Sequence, residues 1–180
     1  AEEKHLLEQM YSSNKELLWK DVVIPEQLGL ECSDYKWRQN QSNVEIYIML
    51  PDGLEARFVH VSLATSSIQV SINGEPLLTG ELFAPIKAEE STWLIHDGIL
   101  EILLLKRYRR GHYEDGKTNA DTFWYSVLKK CPNKDEVLAL EHPPSEYYST
   151  EYEKETSNVS KAMARLPKYD RPMIDRSREN

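Results

Sequence analysis

Apolar and polar residues alternate through the middle of the chain. Val44, Ile46, Ile48 and Leu50 alternate with Glu45, Tyr47 and Met49, which predicts a half-buried strand closed by Pro51, Asp52 and Gly53. Val59, Val61 and Leu63 share one face of a second strand, Phe58–Leu63, and Ile68, Val70 and Ile72 share one face of a third, Ser67–Ile72. Asn73-Gly74 supplies the two residues that tolerate positive φ in a tight hairpin, and Leu77–Leu82 leads out of it, with Pro76 marking an edge or a bulge. A second hairpin follows, Thr92–Ile95 turned by Asp97-Gly98 into Ile99–Leu105. Tyr35–Gln39 is a short aromatic strand ahead of them all. About seven strands thus arrive at turn-punctuated intervals, with none of the long helices that a parallel βαβ sheet requires. The pattern predicts an all-β fold, an antiparallel seven- to eight-stranded β-sandwich.

The flanks carry a different period. Glu2 to Met10 is rich in helix formers, with Leu6, Leu7 and Met10 on one side and Leu17 and Leu18 further along. Beyond Pro143-Pro144, the residues Tyr152, Thr156, Val159, Met163 and Leu166 follow a helical spacing that Pro167 ends. That stripe either docks on its own sandwich or meets another protein. The expected organisation is a helical, acidic extension over residues 1–34, a sandwich over 35–130, and a partly helical extension over 131–180.

Charge supports that division. The chain is −8 overall, distributed as −5, −1 and −2 over the three segments, so a global attraction to nucleic acid or an anionic membrane is not expected. No apolar run nears the ~20 residues of a membrane helix, and the acidic start is unlike a signal peptide. Cys32 and Cys131 stand in no metal-type spacing, which fits free thiols in a reducing, cytoplasmic setting while leaving one disulfide open.

Candidate catalytic chemistry is sparse. None of the five histidines lies at a metal-pair spacing, and there is no nucleophile elbow or Gly-rich phosphate loop. His60 falls on the polar face of a strand, and His96-Asp97-Gly98 reads as a turn before it reads as an acid–base pair. The expectation is a protein that is no enzyme, with no catalytic residue, no metal and no cofactor.

The distinctive charged feature is Lys106-Arg107-Tyr108-Arg109-Arg110, at the end of the most apolar strand. Cations there can blunt an exposed strand end, can mimic a nuclear-entry signal, or can form a docking patch for an acidic partner surface. Lys106, Arg107, Arg109 and Arg110 are the candidate partner-binding residues, and Tyr35 joins them as an aromatic contact.

Taken in order, Tyr35-Lys36-Trp37 with Gln39, the Val44–Leu50 strand, Leu77–Leu82 with its Gly80-Glu81-Leu82, Ile86–Trp93, Leu103–Lys106, and Trp124 with Leu128 resemble the NudC-type CS domain, from about Tyr35 to Lys130. The resemblance implies the sandwich shared with small co-chaperones of the ninety-kilodalton heat-shock protein and with small heat-shock proteins. It implies a non-enzymatic chaperone or co-chaperone whose partners are client proteins, β-propeller proteins among them, that chaperone itself, and components of the dynein pathway. The alternative is an adaptor that links motor or cytoskeletal proteins without chaperone activity. Trp37, Trp93, Trp124 and Gly80 are then expected in the structural core. A polar loop, Gly111–Thr122, precedes Phe123-Trp124-Tyr125. No Ile-x-Ile or Ile-x-Val tail of the small heat-shock type is present, so a monomer or dimer is expected rather than a large oligomer.

Overall fold

The structure, a computed structural model, describes residues 2–107, 122–144 and 147. One helix, α1 (Glu2–Asp21), precedes eight strands: β1 (Gly29–Glu31), β2 (Lys36–Gln39), β3 (Asn43–Met49), β4 (Val59–Ala64), β5 (Ser67–Ile72), β6 (Glu75–Glu81), β7 (Thr92–His96) and β8 (Ile99–Leu105). They form two antiparallel sheets, one of five strands in the order β1-β2-β3-β8-β7 and one of three in the order β4-β5-β6. This is the antiparallel sandwich that the alternation predicts.

Each predicted turn forms by the chemistry expected of it. Asn73 and Asp97 take φ of 53° and 48°, each followed by a glycine at 79°, the positive pair that suits a two-residue hairpin to twisted strands. Pro76 stands in β6 opposite Ser71, where the register shifts, and β6 lies at the edge of its sheet. The Asn40 Oδ1 accepts from the backbone of Ser42 and Asn43 and so closes the β2–β3 turn.

The core follows from the pairing register. Trp37 lies opposite Ile46, Ile46 opposite Ile102, and Ile102 opposite Trp93, so these four share the inner face of the five-stranded sheet. Ile48 with Leu100 and Val44 with Leu104 make the flanking rows, and Ile68, Val70 and Leu78 cover them from the smaller sheet. Trp37 is fully buried. Trp93 is not in the core as expected: it ends its row on β7, beyond which no further strand lies among the described residues, and it is 39% exposed.

Two boundaries differ from the sequence reading. The five-stranded sheet starts at Gly29, ahead of the expected residue 35, because β1 is a three-residue strand too short to show alternation. Glycine is required there: a Cβ on Gly29 would lie 2.0 Å from the Trp37 carbonyl oxygen. The core also reaches beyond residue 130, since Leu138 and Tyr147 are buried within it. The helix expected over Tyr152–Leu166 lies outside the described residues.

Two cations link α1 to the sandwich. The Lys15 ammonium donates to the Leu50 carbonyl at 2.8 Å and pairs with the Asp52 carboxylate, while Lys36 on β2 reaches up to the Trp19 carbonyl at 2.7 Å and stands 4.5 Å from the centre of its ring. Leu6 and Leu17 are 58% and 59% exposed.

The burial difference between two tryptophans is testable. Trp37→Ala is expected to lower the unfolding free energy by ~3–5 kcal/mol, and Trp93→Ala by at most about half as much, read from urea midpoints at unchanged slope.

Candidate protein-binding surface

The basic cluster divides at its first residue. Lys106 is only 1% exposed and is not part of a surface patch. The inner-face alternation of β8 (Leu100, Ile102, Leu104) continues one step past the strand and turns its side chain inward. There the ammonium donates to Gln39 Oε1 and to the Thr122 carbonyl, both at 2.8 Å, and to the Tyr147 hydroxyl at 3.4 Å. Desolvation holds Lys106 well below the usual lysine range. Arg107 is exposed, and Arg109 and Arg110 lie outside the described residues. Tyr35 is buried, at 2% exposure, and offers no surface contact; burial also raises its hydroxyl above the ordinary tyrosine value.

Gln39 completes what Lys106 starts. Its side-chain oxygen also accepts from the Trp124 N–H at 2.8 Å, and its amide nitrogen donates to the Trp124 carbonyl at 2.6 Å, so the side chain imitates a neighbouring peptide unit. Gln41 likewise donates to the Tyr147 carbonyl. Phe123 packs edge-on against Tyr125 and Tyr147, with centroids 5.0 and 4.9 Å away. Trp124 is buried, and Leu128 packs beside the half-buried Gly80, 3.5 Å from where a Cβ would stand. The sequence reading missed Gln39 and Tyr147 as closing residues; a glutamine two positions after a buried tryptophan, on the same strand face, was the available signal.

The surface that remains for recognition is an edge. β1 has three residues, β6 carries Pro76 and is bridged at its end through Leu82 to Leu128, and the outward positions of β4 are His60, Ser62 and Ala64. β7 differs from these. It shows Trp93 on one face and Leu94, 49% exposed, on the other, beside a row of backbone groups with no neighbouring strand among the described residues. Such an edge can accept an added strand, with side chains on either side supplying selectivity. His96 and Asp97 approach to 3.2 Å in the turn beyond it, both exposed. Cys32 and Cys131 are free, and burial pushes the Cys32 thiol up to about 11. Among the described residues no group of three or more histidines, cysteines or carboxylates could hold a metal, and no helix is long and apolar enough to cross a membrane.

Residues 33–106, which hold most of the sandwich, match the CS domain family. The chain is similar to NudC-like CS-domain proteins. It is 31% identical over 112 residues to the nuclear movement protein nudc of Schizosaccharomyces pombe, across 61% of either chain. It is 33% identical over 85 residues to the nuclear migration protein nudC of Drosophila melanogaster, across 46% of this chain and 26% of that one. The chain therefore spans less than two thirds of the length of these relatives. Among solved structures, the CS domain of human KIAA1068 protein is 23% identical, with a TM-score of 0.49, over 66% of this chain and 88% of that one. CS and NudC domains are a non-enzymatic, chaperone-like family.

The buried lysine carries a pH signature. Its folded pKa is lowered, so between that value and the ordinary 10.5 the unfolded chain binds more protons than the folded one, and stability rises with pH. Lys106→Met removes this dependence and takes the ammonium from the Thr122 carbonyl, from Gln39 Oε1, which keeps the Trp124 N–H, and from the Tyr147 hydroxyl, which keeps Thr122 Oγ1, at a cost of about 1–3 kcal/mol. Urea melts at successive pH values up to about 8.5, below the thiol and tyrosine titrations, are expected to show the wild-type protein gaining on Lys106→Met as pH rises.

Proposed function

We propose that this protein is a chaperone or co-chaperone that binds partly folded client proteins along the β7 edge, with no catalytic step of its own and without a cofactor. The observation that carries this reading is the pairing of an edge strand, unpaired on its outer side among the described residues, with two large exposed apolar side chains on opposite faces, Trp93 and Leu94. Similarity to NudC-like proteins supports the same reading. The partners that fit it are the ninety-kilodalton heat-shock protein and its β-propeller clients, and components of the dynein pathway, in the cytoplasm with access to the nucleus. Arg107, with Arg109 and Arg110, would add an ionic contact that speeds association with an acidic surface.

The test is suppression of aggregation of an unrelated heated protein, such as luciferase, by the full chain. Leu94→Lys is the informative variant, because the new ammonium faces Glu101 across the β7–β8 pair and leaves the core untouched. It is expected to weaken suppression by roughly tenfold while the melting midpoint stays within about 0.5 kcal/mol of wild type. Equal suppression by the variant would remove the edge from the mechanism. Absence of suppression, together with recovery of motor or cytoskeletal subunits alone from cell lysate, would replace the chaperone with an adaptor.

A further inference from the structure

A groove of about 680 Å³ opens at the opposite end of the sandwich from Lys106, and nothing in the preceding reading uses it. Its apolar lining comes from segments distant in sequence: Trp19 at the end of α1, Met49 at the end of β3, and Leu77 in β6. Met49, opposite Ile99 of β8, is 37% exposed and leaves apolar surface open to the groove. The same groove is lined by three carboxylates, Glu31, Asp34 and Glu75, all on exposed residues.

The charge balance inside the groove decides what it can hold. Lys36 is the one cation in the lining, and its side chain is 8% exposed. Its ammonium is committed to the Trp19 carbonyl at 2.7 Å and to the Trp19 ring, with Glu31 3.6 Å away. A ligand entering the groove therefore meets accessible negative charge over an apolar floor, with the one cation of the lining, Lys36, held beneath. We infer that this groove binds an extended segment of a partner protein that carries lysine or arginine residues interleaved with aliphatic ones. Aliphatic side chains would settle against Trp19, Met49 and Leu77, and the cations would reach the carboxylate rim. The site is separate from β7 and goes beyond the client-binding reading.

The probe is an acetylated peptide that alternates lysine and leucine, with a glutamate–leucine peptide as its counterpart, titrated into the full chain carrying Trp93→Phe. Of the three tryptophans left, Trp37 and Trp124 are buried and Trp19 lines the groove, so a change in emission on binding reports on Trp19. The expected result is a saturable emission change with the lysine peptide, weakened at least tenfold by Glu31→Lys with Glu75→Lys, weakened also on going from about 50 to about 500 mM salt, and untouched by Leu94→Lys. Glu31→Gln with Glu75→Gln, expected to weaken binding about threefold, serves if the double reversal fails to fold. Equal binding of the glutamate peptide, or no loss in a folded reversal variant, would overturn the proposal. So would a concentration-dependent dimer in sedimentation that the reversal dissolves, which would make a second copy of the chain the occupant.

Discussion

One buried ammonium group determines how the sandwich closes. Lys106 sits where the inner-face row of β8 runs out, and its described partners are all neutral: an amide oxygen, a backbone carbonyl and a phenol. A charge so placed recovers only part of its hydration energy, which is why its proton is held less tightly than in water. The compensation is organisational. Three acceptors from three separate segments must converge on it, so the stretch from Thr122 to Tyr147 has one seat on the end of the core rather than many.

The helix is attached by the same kind of bond. α1 presents only a weak apolar stripe, yet Lys15 and Lys36 each reach a backbone carbonyl across the helix–sheet boundary. Hydrogen bonds from ammonium groups to carbonyls are directional, and they fix the end of a helix on which Leu6 and Leu17 stand exposed. Lys36 also lies over the Trp19 ring, which orients that indole at the groove. The acidic character of the first segment thus coexists with cationic attachment points.

The alternation of Val44–Leu50 and Ile99–Leu105 and the Asn-Gly and Asp-Gly turns made the central strands legible, because period, turn chemistry and register agree there. β1 was illegible for a local reason: three residues cannot display a period, and what matters at Gly29 is a close approach to Trp37 that only tertiary structure reveals. Trp93 misled because a strand-period match places a side chain on the inner face without saying whether its strand lies at the centre or at the edge. Lys106 misled for the converse reason. Adjacent arginines suggested a continuous surface patch, but alternation persists past the last assigned strand residue and sends the lysine inward. Leu94 carried no motif at all, and its exposure follows only from the strand order.

The clamp at Lys106 also separates the fold from the length of the chain it spans. The ammonium joins its own residue to the Thr122 carbonyl at 2.8 Å, so the two ends of the intervening stretch are held together by the core. Residues that stand sixteen apart in sequence are thereby tied to each other by a side chain of the core itself, and the position of Thr122 is set by where β8 ends.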